Sequence, residues 1–94
     1  MAFRLRFHPA AAKDLAKLTE KDKPLLGRLE RGLREIQDNP YAGERKSGDL
    51  VECRAQGFTF RRTAYRIVYR LAPPDLLILA LGAHDVAYRK DRRR

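Results

Sequence analysis

AYRIVYRL (residues 64–71), PPD (73–75) and LLILAL (76–81) follow one another almost without a break, and their reading decides the fold. The first stretch is rich in β-branched and aromatic residues and suits a strand. PPD makes a turn, and LLILAL is an apolar run of strand length, suited to burial on both faces, which Gly82 closes. Before this unit, Arg61-Arg62-Thr63 reads as the turn of a hairpin. Residues 50–60 form its other strand, where Val51, Cys53 and Ala55 alternate with Glu52, Arg54 and Gln56 until Gly57 bends it.

Further toward the N-terminus the period changes. Residues 2–7 set Phe3, Leu5 and Phe7 against Arg4 and Arg6, which is a strand with one buried face. His8-Pro9 ends it, and residues 10–18 form a short helix with Ala11, Leu15 and Leu18 on one stripe. Residues 19–22 read as a second helix start, with the Thr19 hydroxyl able to cap and Glu20 and Asp22 near the positive end of the dipole. Leu25, Leu26, Leu29, Leu33 and Ile36 then recur at helical spacing until Asp38-Asn39-Pro40 stops the ladder. Residues 41–48 form a polar connection. The order is strand, helix, helix and three strands. It predicts an α+β domain with two N-terminal helices packed on a mainly antiparallel four-stranded sheet (β-α-α-β-β-β).

Ninety-four residues suffice for one domain with one core, so residues 1–94 are read as a single unit with a flexible basic tail at about 90–94. Lys and Arg number 21 against 12 Asp and Glu, a formal charge of +9 that favours polyanionic partners. The excess is +3 over residues 1–41 and +6 over residues 42–94, so the later half is the candidate polyanion face. Cys53 is the lone cysteine, which rules out an intrachain disulfide and reads as a small core residue. With no signal-peptide pattern and no apolar run of membrane-spanning length, the expected compartment is the cytoplasm, with no membrane contact. No phosphate-binding glycine loop and no metal-ligand spacing is visible, so neither a metal nor a cofactor is expected.

Arg45 and Lys46 lie in the loop before the second strand, Arg54 and Gln56 share one face of that strand, and Arg66 and Arg70 share one face of the next. Pairing of the two strands as a hairpin would let Arg54 and Arg66 converge. Such arginines are either the solvated face of a half-covered sheet or a phosphate-binding surface. His84 and Tyr88 follow Gly82 and are the proton-transfer candidates; the alternative is that His84 caps the strand and Tyr88 packs on the sheet edge. His8, beside Pro9, reads as structural. RNA cleavage through the neighbouring 2′-hydroxyl needs a proton acceptor, cations for the charge on phosphorus and a proton donor for the departing 5′-oxygen. It needs neither a metal nor a protein nucleophile. Arg54 and Arg66 fit charge stabilisation, and His84 and Tyr88 fit proton transfer.

FxxxAxKDLxKL near the start, NPYAGERKSGDL before the second strand, AYRIVYRL, and LALGAHDVAYR near the end together resemble the RelE/ParE toxin superfamily, on its RelE side. The similarity covers nearly the whole chain. It implies the toxin of a type II toxin–antitoxin pair: a ribosome-dependent mRNA endonuclease that enters the ribosomal A site, inhibits translation and is held inactive by a cognate antitoxin. On this resemblance Arg66, His84, Tyr88 and, by a looser match, Arg54 are the catalytic set. Lys46, Arg45, Arg61, Arg62, Arg70 and Arg89 are assigned to RNA phosphate. Gln56 stands where some relatives carry a lysine, which leaves the general base open. The ParE side of the superfamily shares the fold and inhibits DNA gyrase without an RNase site, and a degenerate toxin that serves only as an antitoxin-binding repressor subunit is a third possibility.

Overall fold

The computed structural model describes residues 3–45 and 53–83, with 44 and 45 described by backbone alone. Alternation along the first strand, β1 (Arg4–Phe7), leaves Leu5 and Phe7 half-buried and Arg4 and Arg6 exposed. The His8 imidazole accepts the Ala10 N–H at 3.1 Å and so caps α1 (Pro9–Thr19), which Pro9 opens. The second helix, α2 (Lys23–Asp38), is capped by Asp22, whose carboxylate accepts the Leu25 N–H at 3.1 Å. Thr19 does not cap it as the sequence suggested. Thr19 is still helical, and its hydroxyl donates back to the Leu15 carbonyl at 2.7 Å. Pro24 falls in the first turn of α2, and a 3₁₀ turn (Pro40–Ala42) follows the helix.

The remaining strands are β2 (Glu44–Arg45), β3 (Cys53–Phe60), β4 (Thr63–Ala72) and β5 (Asp75–Ala83). The sheet order is β1-β5-β4-β3-β2, with β1 parallel to β5 and the other pairs antiparallel. The two helices and four longer strands are the expected α+β arrangement, and the two-residue β2 adds a short edge strand. The hairpin turn and two glycines also differ from the sequence reading. Gly57 makes no bend, because it stays in register opposite Arg66. Arg61 and Arg62 alone form the β3–β4 turn, both with positive φ (50° and 69°), and Thr63 already belongs to β4. Gly82 does not end β5; the strand passes through it to Ala83, and only glycine adopts its φ of 158° readily.

Leu29 and Ile36 of α2 and Ala11 of α1 are fully enclosed against Ile67, Tyr69, Leu76, Ile78 and Leu81. Each buried Leu or Ile contributes about 1.5–3 kcal/mol on leaving water. Leu26 lies at the margin, half-buried. The run at 76–81 is not uniformly buried: Leu77 and Leu79 are half-buried on the face away from the helices. A register shift sets Tyr69 opposite Ile78 and Val68 opposite Ala80, so Leu79 is an extra residue on β5.

Candidate nucleic-acid interface

Directly opposed residues of antiparallel strands share a face, and neighbours along a strand alternate. The register therefore sorts the candidate residues. The helix side carries Ile67 and Tyr69 of β4 together with Gln56 and Arg54, their partners on β3. The outer face carries Arg66, Val68 and Arg70, opposed by Gly57, Ala55 and Cys53 on β3 and by Gly82, Ala80 and Leu77 on β5. Arg54 and Arg66 consequently do not converge. Arg54 opposes Tyr69, an odd number of positions from Arg66 along β4, and an odd offset reverses the face.

Arg54 has local partners instead. Its guanidinium donates to the Tyr41 carbonyl at 3.1 Å and to the Gly43 carbonyl at 3.0 Å, and lies 5.6 Å from the centre of the Tyr41 ring. Below it, the buried Tyr69 hydroxyl donates to the Pro40 carbonyl at 2.6 Å. Burial pushes the Tyr69 pKa above its ordinary value, against the opposing pull of the Gly43 backbone and the Arg54 charge. The two side chains pin the turn that leads into β2, where Arg45 stands opposite Arg54 in register.

The outer face is different in character. Arg66 is half-buried and Arg70 exposed, separated along β4 by the buried Val68, which packs with Ala55, Ala80 and Leu79. At the β1 end of this face, Asp75 is engaged by Arg4 at 2.8 Å and Arg6 at 3.6 Å. Among the described residues no carboxylate pairs with Arg66 or Arg70. Two guanidinium groups on a sheet face, neither bound by a described carboxylate, can take phosphate oxygens.

The hairpin tip forms a third region. Arg61 contacts Asp22 at 3.4 Å and lies 5.0 Å from the centre of the Phe60 ring, while Arg62 is exposed. Nearby, Arg28 sits 4.3 Å from the centre of the Phe58 ring, which stacks on Tyr65 at 5.5 Å. Lys46, His84, Tyr88 and Arg89 lie outside the described residues. Sequence reasoning passed over two positions that matter to the outer face, Gly57 beside Arg66 and Asp75 at its β1 end. The even-numbered residues of β4, alternating alanine or valine with Arg66 and Arg70, were the available signal.

The family model of the ParE-like toxins of type II bacterial toxin–antitoxin systems matches residues 5–92. The chain belongs to this family. No curated protein sequence matches the toxin. Among solved structures it is similar to a mutant of the Escherichia coli toxin RelE in the free state, with a TM-score of 0.73 and 22% identity over 100% of this chain and 98% of that one. A toxin–antitoxin RelBE complex from Mycobacterium tuberculosis gives a TM-score of 0.68 at 23% identity, covering 89% of the toxin and 100% of the matched chain. A chromosomal ParDE system from Pseudomonas aeruginosa gives 0.65 at 16% identity, covering 87% and 96%. Both branches of the superfamily thus share this toxin's fold, and at these identities the likeness is one of fold.

Proposed function

We propose that the toxin is a ribosome-dependent mRNA endonuclease of the RelE kind, acting in the cytoplasm and restrained by a cognate antitoxin with which it assembles. The observation that carries this reading is the pairing of Arg66 with Gly82, two residues before His84 in the chain. Arg66 binds the scissile phosphate and stabilises charge developing on it, while Arg70 holds a neighbouring phosphate. His84 and Tyr88 handle protons: one takes the 2′-hydroxyl proton as the 2′-oxygen bonds to phosphorus, and the other protonates the 5′-oxygen as the P–O5′ bond breaks. The products are a 2′,3′-cyclic phosphate and a free 5′-hydroxyl, reached without a metal or cofactor. Arg61 and Arg62 at the hairpin tip, with Arg45, Lys46 and Arg89, contact phosphates of mRNA or ribosomal RNA. Arg54 serves this site indirectly, by fixing the turn before Arg45.

Induced expression with mapping of mRNA 5′ ends on ribosomes tests the reading. New ends are expected for wild type and are expected to disappear for Arg66→Ala, His84→Ala and Tyr88→Phe; unchanged cleavage in all three variants removes the site.

One observation favours a second reading. The β3 residues that share the Arg66 face are Cys53, Ala55, Gly57 and Thr59, none of them basic. A ParE-like DNA gyrase inhibitor needs no catalytic cluster there. It would produce double-strand DNA breaks and an SOS response with mRNA intact.

A further inference from the structure

The β3 position beside Arg66 is a glycine that the fold does not require. Gly57 is exposed, lies mid-strand between Gln56 and Phe58, and stands opposite Arg66. Its backbone is not of the positive-φ kind; among the described glycines only Gly82 is. A Cβ built on Gly57 meets a single neighbour, the Tyr65 carbonyl oxygen, at 3.4 Å, which is ordinary contact. Glycine inside a strand weakens it, and a β-branched residue would serve this sheet better. On the other side of Arg66 its β5 partner is Gly82. The guanidinium stem therefore rises between two positions without side chains, on a face where no described carboxylate claims it.

A strand glycine that makes neither a bulge nor a bend often marks a place where a ligand or another backbone approaches closely. We infer that Gly57 is a clearance residue: it keeps open the sheet surface beside Arg66 so that the sugar–phosphate backbone of single-stranded RNA lies directly against the exposed end of the β3–β4 ladder, at Gly57, Thr59 and Ala64. This inference rests on the ribonuclease reading and deepens it by fixing where the phosphodiester sits. RNA suits the seat better than an acidic protein segment. The neighbouring outer residues Ala64, Val68 and Thr59 offer a carboxylate-bearing side chain no second cation within the same pair of strands except Arg70, while a nucleic acid strand presents successive phosphates to both arginines.

The test compares wild type with Gly57→Val, Gly57→Ala, Arg66→Ala and, as a glycine control on the exposed side of α2, Gly27→Ala, whose Cβ meets open space. Binding of a short fluorescein-labelled single-stranded RNA at low salt, cleavage on ribosomes and thermal melting are measured for each. Gly57→Val is expected to melt no lower than wild type yet bind RNA at least about tenfold more weakly, the scale of one lost charge-assisted contact, and to lose cleavage in proportion. Gly57→Ala falls between, and Gly27→Ala matches wild type in binding. Wild-type binding by both Gly57 variants, with binding lost in Arg66→Ala, overturns the clearance role and leaves the ribonuclease reading standing. Should Gly57→Val melt lower, Gly57→Ala decides on the same terms. Loss of antitoxin binding in Gly57→Val with RNA binding intact also overturns it and assigns the seat to protein. A wild type that neither binds nor cleaves RNA overturns the ribonuclease reading and the inference together.

Discussion

The buried Asp14 of α1 accepts the Leu81 backbone N–H of β5 at 3.3 Å, beyond the point where β1 has stopped pairing. β1 ends at Phe7 opposite Ile78, so past that residue a helix carboxylate takes over from a strand on this side of β5. It holds the last turnings of the strand that leads to Gly82.

Asp14→Ala is expected to destabilise the fold by about 1–3 kcal/mol, because a buried N–H loses its acceptor. Asp14→Asn, which keeps an acceptor oxygen, recovers much of the loss. Chemical denaturation gives the magnitude, and amide exchange at Leu81 localises it; slow exchange at Leu81 in Asp14→Ala would contradict the assignment.

Tyr69 and Gly43 are coupled by space. A Cβ on Gly43 would fall on the Tyr69 hydroxyl. Gly43→Ala should therefore be strongly destabilising, Tyr69→Phe should cost about 1–2 kcal/mol through the lost bond to Pro40, and the double variant should be less damaged than the sum. A double-mutant cycle by urea unfolding is expected to give a coupling of about 0.5–3 kcal/mol. Strict additivity would count against the contact.

Arg61 and Arg62 occupy left-handed backbone that favours Asn-Gly in two-residue hairpins. Each L-residue there costs about 1–2 kcal/mol, whereas the exposed Arg61–Asp22 pair and the Phe60 contact each return at most about 1 kcal/mol. Replacing the pair by Asn-Gly should leave a net gain of about 1 kcal/mol in unfolding free energy. On the proposed function, the same variant should bind RNA more weakly and with a shallower salt dependence.

Asp75 brings a pH dependence whose sign is fixed. The hydrogen bond from Arg4, with the charges of Arg4 and Arg6, holds its carboxyl below the ordinary value of 3.8. A carboxyl depressed on folding contributes stability above its unfolded pKa and loses that contribution as pH falls through the folded one. Wild type should lose stability on acidification below about pH 3.8 more steeply than Asp75→Asn. The difference should be small and should shrink with salt, since the pair is on the surface. Parallel melting curves for the two proteins down to acid pH would refute it.

Much of this fold could be read from local pattern. Period-2 alternation in β1, the leucine stripe of α2 and the β-branched run of β4 each agree with the packing they enter, so local preference and tertiary demand coincide. That Arg54 and Arg66 stand on opposite faces was not legible, because it depends on hairpin register, and an Arg61–Arg62 turn that excludes Thr63 sets that register. A one-residue difference in a turn exchanges the faces of a whole strand. Asp14 was hidden for a related reason: a carboxylate in a helix that serves a distant strand leaves no mark in local spacing. The glycines misled in opposite ways, Gly57 reading as a bend and Gly82 as a stop, since sequence shows that a side chain is missing but not what the gap is for.

The two faces of β4 have a genetic consequence. Residues 67 and 69 are sealed under the helices while residues 66 and 70 stand on the outer face, so adjacent codons belong to different selective regimes. In a collection of variants that survive their own expression, substitutions at Ile67 and Tyr69 should deplete the protein in the cell. Those at Arg66 and Arg70 should leave a full complement of folded, harmless chains, still able to sequester antitoxin.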